Sequence, residues 1–313
     1  MKSKKSKTGL TRRQGLGLAA PQTWAASVIP AVFAVVYCRW RGYPLEPYKA
    51  VLLMAAVICM QSAVNTLNDY MDFVKGTDSI SDHLEQSDAI LIYSDLDPKT
   101  ARNFGLACLL TGLIMGGIAC LGSSWLPILI GFVGAVIILL YSGGPLPVSY
   151  LPAGEAVSGF VMGGLIPLGI AACSDGKPHV DILLYSIPLM IGIGLIMMSN
   201  NGCDIEKDRR AGRHTLPTIL GREKTLTLYK GFLVLWIMAT ILFSFSAGGI
   251  AGIAAVLILI VFGRKIFTGL FRMGLKPENR IFQMKGIAAA NLCCGGAYII
   301  VILIRMTVGA VYG

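Results

Sequence analysis

NTLNDYMDFVKGTD, Asn65–Asp78, follows an almost wholly apolar run from Ala50 to Val64. Asn65, Asp69 and Asp72 fall at i, i+4 and i+7, so on a helix their side chains leave from one face, with Asn68 beside it. A carboxylate costs about 2.5–3.5 kcal/mol at the centre of a bilayer on insertion scales, and less near the interface. Two of them on one face of an apolar helix therefore need a partner, and a hard divalent ion is the natural one. Lys75 and Gly76 follow at once. Lys75 reads either as a cation for an anionic ligand or as a snorkelling interface lysine.

The rest of the chain agrees with a membrane setting. Of 313 residues, 55% are hydrophobic and 14% charged, and the mean hydropathy is +0.68. Soluble domains carry about a quarter charged residues, so a soluble globule is excluded. No linker or low-complexity tract divides the chain, which reads as one integral membrane domain over 1–313. The expected fold is all-α and polytopic, in one bundle. Nine apolar segments are expected as transmembrane helices: 16–37, 49–68, 104–121, 126–141, 156–173, 182–201, 225–246, 250–262 and 282–304.

Residues 1–15 carry Lys2, Lys4, Lys5, Lys7, Arg12 and Arg13. The run behind them has spanning length and no small-residue cleavage site, so a first helix with a cytoplasmic amino terminus is expected rather than a signal peptide. The net charge of +10 does not point to nucleic acid, because the basic residues fall in the loops of one side. Across nine helices the other side keeps only Arg39, Arg41, Lys49, Lys177 and Arg305. The positive-inside rule then places the chain in the cell membrane with its polar site open to the cytoplasm. The eight cysteines are scattered, without a C-x-x-C pair, and read as small buried hydrophobes. His83, His179 and His214 form no metal pattern.

A second polar stretch, NNGCDIEKDRRAGRHTLP (Asn200–Pro217), ends another apolar segment on the same side. Asn200, Asp204 and Asp208 recur at i, i+4 and i+8, with Asn201 alongside. A positive-inside loop accounts for Arg210, Arg222 and Lys224, but not for these. Magnesium takes one or two carboxylates together with substrate phosphates. Asp69, Asp72, Asp204 and Asp208 are thus the candidate metal ligands and catalytic carboxylates of a magnesium–diphosphate site. Arg209 and Arg213 are candidates for phosphate contacts. A third stretch, YSGGPLPVSYLPAGEAVSG (Tyr141–Gly159), is expected on that side too. Its glycines and prolines fix a turn, and Glu155 opens the next helix.

Together the three stretches resemble the UbiA superfamily of intramembrane prenyltransferases. NDYMDFVKGTD is similar to its N-D-Y-x-D-x-x-x-G-x-D element, and NNGCDIEKDRRAGRHTL to its N-N-x-x-D-x-x-x-D-x-x-x-G-[KR]-x-T-L element. YSGGPLP with Gly154-Glu155 resembles the segment of the branch that prenylates 1,4-dihydroxy-2-naphthoate in menaquinone synthesis. The resemblance implies nine helices around a central cavity and Mg²⁺ held through the two acidic motifs. It also implies a polyprenyl diphosphate donor and a small aromatic acceptor. Asn65, Asn68, Lys75, Asn200, Asn201, Arg209 and Arg213 are the candidate diphosphate-binding residues. The physics is compatible: ionising an allylic diphosphate needs a neutralised leaving group, and the cation left behind needs a cavity poor in water. Two features depart from the family. Ala20-Pro21 stands where members often carry Arg-Pro, and the segment Asp88–Pro98 is acidic and lacks glycine.

The same chemistry on another acceptor (a different quinone ring, haem or a lipid alcohol) is the first alternative. An ion-coupled transporter is the second, although transporters place such acids at the midplane of inverted repeats. Asp88–Pro98 is expected either as a lid over the cavity mouth, offering Asp88, Tyr93 and Asp95, or as a plain connector.

Overall fold

The computed structural model describes residues 9–77 and 90–312, with side chains as far as Gly309. Lys2, Lys4, Lys5 and Lys7, and Asp78, Asp82, Glu85 and Asp88, lie outside the described residues. All regular structure among the described residues is helical.

Helix α1 (Arg12–Ala19) opens with a capping box, in which the Thr11 hydroxyl accepts from the Gln14 N–H at 3.3 Å and Gln14 Oε1 accepts from the Thr11 N–H at 3.0 Å. It stops at Ala20, whose φ of +48° is the left-handed conformation that ends a helix. Pro21 opens a short turn, and α2 (Ala25–Arg41) then departs at 61°. Next come α3 (Pro47–Lys75), the short α4 (Ile90–Tyr93), α5 (Pro98–Ala119) and α6 (Trp125–Ser142). Helices α7 (Gly154–Phe160) and α8 (Ile166–Asp175) are joined by one wider helical turn. The short α9 (Asp181–Tyr185) precedes α10 (Ile187–Cys203), α11 (Ile205–Arg210) and α12 (Leu216–Leu220). Last are α13 (Arg222–Gly248), α14 (Gly252–Ile258), α15 (Arg264–Met273) and α16 (Arg280–Tyr312).

The expected number of spans is corrected by this structure. Among the described residues six helices are long and apolar enough to cross a membrane, or seven if the bent pair of α1 and α2 is one span. Three local backbone events explain the difference from nine. The first segment is broken at Ala20. The sixth breaks at Ser186 and restarts before Pro188, which leaves α10 with 17 residues. The seventh and eighth run together into one apolar stretch, Arg222–Met273, of 52 residues.

Apolar side chains cover the outside as well as the core. Leu110, Ile114 and Ile118 on α5, Phe132 on α6 and Met238 and Leu242 on α13 are all exposed. Apolar surface on that scale suits lipid rather than water, and the protein is a multi-pass membrane protein. Close helix contacts inside rely on glycine. Gly159 and Gly163 form a G-x-x-x-G face on which α10 lies: a Cβ on either would come within 2.6 Å of Met190 backbone. This approach sets Glu155 of α7 alongside Asn201 of α10. At the far end from the two acidic stretches, Asp181 accepts from Tyr37 at 2.7 Å and Tyr43 at 2.9 Å and pairs with Arg41 at 3.3 Å.

Candidate active site

Residues 65–75 of the first acidic stretch form the last turns of α3. Asp69 and Asp72 are buried on one face, as the spacing predicts. Gly76, at φ +66°, lets the Thr77 N–H return to the Asp72 carbonyl at 2.9 Å and ends the helix there. The second stretch is not one continuous helix. Asp204 sits at the break between α10 and α11, where its N–H reaches the Asn200 carbonyl at 3.1 Å and the Asn201 carbonyl at 3.3 Å. Asn200 and Asn201 therefore end α10, Asp204 occupies the corner and Asp208 lies on α11.

Arg213 joins the two motifs: it donates to Asp72 and, at 3.4 Å, to Asp208. Its side chain is 11% exposed and its Nε is buried without a hydrogen-bond partner. Tyr150 lies under its guanidinium at 4.9 Å and under the Lys75 ammonium at 4.6 Å. Lys75 also donates to the Ser142 carbonyl at 3.0 Å, while the Ser142 hydroxyl donates to Asn68 at 2.6 Å and Asn68 donates to Asp72 at 3.2 Å. The third stretch thus touches the acidic motifs through Ser142 and Tyr150. Asn201 donates to Glu155 at 2.9 Å, and the other Glu155 oxygen is buried without a partner.

Behind this mouth lies a cavity of about 520 Å³, mostly apolar, with Asn65, Asn68, Asp69, Asn200 and Arg280 at its polar end and Cys120 and Ile170 at its floor. Arg280 belongs to none of the three sequence stretches. It is 7% exposed, holds Asp204 at 3.2 and 3.3 Å and donates to Asn200 at 2.8 Å. No spacing could have found it, since 76 residues separate it from Asp204. Tyr150 was missed for a like reason, because an aromatic in a proline-rich loop has no periodic signal. Two expected diphosphate residues direct their donors to other parts of the chain. Asn65 donates to the Ala19 carbonyl at 3.0 Å and Thr23 at 2.8 Å, and the exposed Arg209 donates to the Thr218 carbonyl at 3.1 Å.

Asp69, Asp72, Asp204 and Asp208 are 8%, 6%, 7% and 1% exposed. Burial pushes the Asp208 carboxyl up to about 7, against the pull of Arg213 and with a further push from Asp204. Among the described residues no three Asp, Glu, His or Cys side chains converge closely enough to enclose a metal ion. The donors nonetheless fit magnesium in kind: they are hard carboxylate oxygens, two per motif, beside a cavity open to a phosphate-bearing ligand.

Residues 27–292 match the model of the UbiA prenyltransferase family. The chain is 32% identical over 286 residues, 89% of its length, to 1,4-dihydroxy-2-naphthoate octaprenyltransferase of Bacillus subtilis, of which the match covers 88%. It is 30% identical over 220 residues, 69% of its length, to human UbiA prenyltransferase domain-containing protein 1, of which the match covers 63%. The fold is similar to that of a UbiA homolog from Archaeoglobus fulgidus bound to DMAPP and Mg²⁺, with a TM-score of 0.62 at 15% identity over 91% of this chain and 99% of the other. The chain therefore belongs to the UbiA prenyltransferase family. It is a membrane-embedded enzyme of the prenyltransferase class.

Proposed function

We propose that the protein transfers a polyprenyl group from polyprenyl diphosphate to 1,4-dihydroxy-2-naphthoate, with Mg²⁺, at a mouth that opens to the cytoplasm. The observation that carries this reading is the meeting of two buried acidic motifs across Arg213, at the polar end of an apolar cavity. A diphosphate fits the mouth and an isoprenoid tail fits the cavity behind it. The similarity to the naphthoate octaprenyltransferase supports the acceptor.

Asp69 and Asp72 would hold the ion from the side of α3, and Asp204 and Asp208 from the side of α10 and α11. When bound there, magnesium neutralises the charge that builds on the departing diphosphate. Arg213 and Arg280 lie within the same mouth and can move from carboxylate to phosphate oxygens, which suit a guanidinium fork equally well. The apolar walls keep water from the prenyl carbon while the acceptor ring approaches.

Membranes containing the protein, given labelled polyprenyl diphosphate and a panel of acceptors, test the reading. Prenylated naphthoate in the presence of Mg²⁺, and none after EDTA, is the expected result. Turnover that survives EDTA would remove the metal. Transfer to a benzoquinone precursor, haem or a lipid alcohol instead would change the acceptor.

A further inference from the structure

One buried lysine and two buried thiols have no part in the site described above, and they meet at the opposite end of the cavity. Cys120 closes the carboxyl end of α5 and Cys173 lies near the end of α8. Their sulfurs are 3.3 Å apart, and the two residues are 6% and 0% exposed. The other cysteines of the chain show no such pairing among the described residues. Cys173 Sγ also faces the Ala119 carbonyl at 3.4 Å.

The neighbourhood holds the sulfurs together. The Ser124 hydroxyl, in the turn after α5, donates to the Gly176 carbonyl at 2.6 Å, and that of Ser123 to the Ala172 carbonyl at 3.4 Å. Gly176, at φ +80°, lets the chain leave α8 directly against Ser124. The turn after α5 is thus docked on the end of α8 with the thiols in the seam. Lys49 of α3 is 6% exposed, and its ammonium lies 3.5 Å from the Cys173 carbonyl oxygen. A buried ammonium thus sits at the seam that holds the two thiols, and the thiolate is the reactive form of cysteine.

We propose that Cys120 and Cys173 form a reversible disulfide, written by a lipid-soluble quinone that enters through the cavity. Cys120 lines the cavity floor, whereas neither sulfur is open to bulk water. An apolar oxidant can reach the pair and glutathione cannot. The step balances as two thiols plus one quinone giving one disulfide plus one hydroquinone: two electrons and two protons pass to the ring, and the Sγ–Sγ bond forms. Lys49 assists by stabilising the first thiolate. The product ties α5 to α8 and fixes the floor against which a long tail would rest.

The experiment uses the full chain in lipid nanodiscs, reduced and then treated with a fully substituted benzoquinone bearing a short alkyl tail. After denaturation and alkylation, peptide mass spectrometry should find Cys120 crosslinked to Cys173, with the remaining cysteines alkylated. Cys120→Ser and Cys173→Ser should each abolish the crosslink, and Lys49→Gln should slow its formation severalfold. Dithiothreitol added after denaturation should release the crosslink, whereas glutathione added to the folded protein should not. Full alkylation of both cysteines after quinone treatment would overturn the proposal, as would crosslinks shared evenly among other cysteines. An unchanged rate in Lys49→Gln would remove the lysine from it. None of these readouts depends on the acceptor or on prenyl transfer.

Discussion

Arg213 donates to Asp72, so a residue in the loop after α11 holds the last turn of α3. The same guanidinium reaches Asp208, and both carboxylates are buried. Removing one partner of a buried ion pair leaves the other uncompensated, at a cost of about 3–5 kcal/mol. Arg213→Gln should lower the unfolding midpoint in metal-free buffer, and Mg²⁺ should recover more of it than in the wild type. A midpoint that falls and ignores Mg²⁺ would argue that the carboxylates do not bind the ion.

Asp69, Asp72, Asp204 and Asp208 should behave as one unit. Each Asp→Ala variant should lose most turnover, on the order of 10³-fold, and double variants should cost far less than the product of the singles. Rates near wild type in Asp69→Ala and Asp204→Ala would end the idea of a shared metal site.

Arg280 is the residue that the structure adds to the site. Arg280→Gln should raise KM for the diphosphate and cut kcat by about 10²-fold, the scale expected for a donor aimed at developing charge. Arg272→Gln, at an exposed cation in the last turn of α15 outside the cavity lining, serves as control. Equal effects from the two would reduce Arg280 to surface charge.

Asp181 offers a stability test at the opposite end of the bundle. Burial raises its carboxyl pKa, but hydrogen bonds from Tyr37 and Tyr43 and the charge of Arg41 outweigh this and hold it below the usual range. A group depressed in the folded state stabilises above its unfolded pKa, and the contribution is lost as pH falls through the folded value. The unfolding midpoint should therefore drop from about pH 4 downward, and it should drop less in Asp181→Asn. Equal acid sensitivity in both would place the stabilisation elsewhere.

The segment at Asp88–Pro98 separates the lid from the connector. Asp88 lies outside the described residues, but Leu91 and Leu96 are buried with Leu18 and Ala101 against Tyr70. Tyr93 is 38% exposed beside them. Tyr93→Ala should raise KM for the acceptor more than for the diphosphate, and unchanged constants for both would mark a connector.

The acidic motifs were legible because polar residues at helical spacing contradict their apolar surroundings, and the membrane allows few such contradictions. Asp69, Asp72, Asp204 and Asp208 stand out in that way; in the structure Arg213 links Asp72 to Asp208, Arg280 holds Asp204, and Asp69 and Arg280 line the cavity. The helix count was not legible. It turned on backbone events at Ala20, at Ser186 and in the stretch after Gly248, where hydropathy varies little. Arg280 and Tyr150 stayed hidden for another reason, since their roles arise only from contacts across long sequence separations.

The break at Ala20 leaves the carbonyls at the end of α1 without helical partners, and α3 supplies donors: Asn65 to Ala19 and Thr66 to Leu18, at 3.0 and 3.1 Å. Asn65 is one turn before Asp69 on the same helix face. The amino-terminal helix is therefore splinted to the strut that carries the first pair of carboxylates. Losing either bond would loosen the hold of α1 on the helix that carries Asp69.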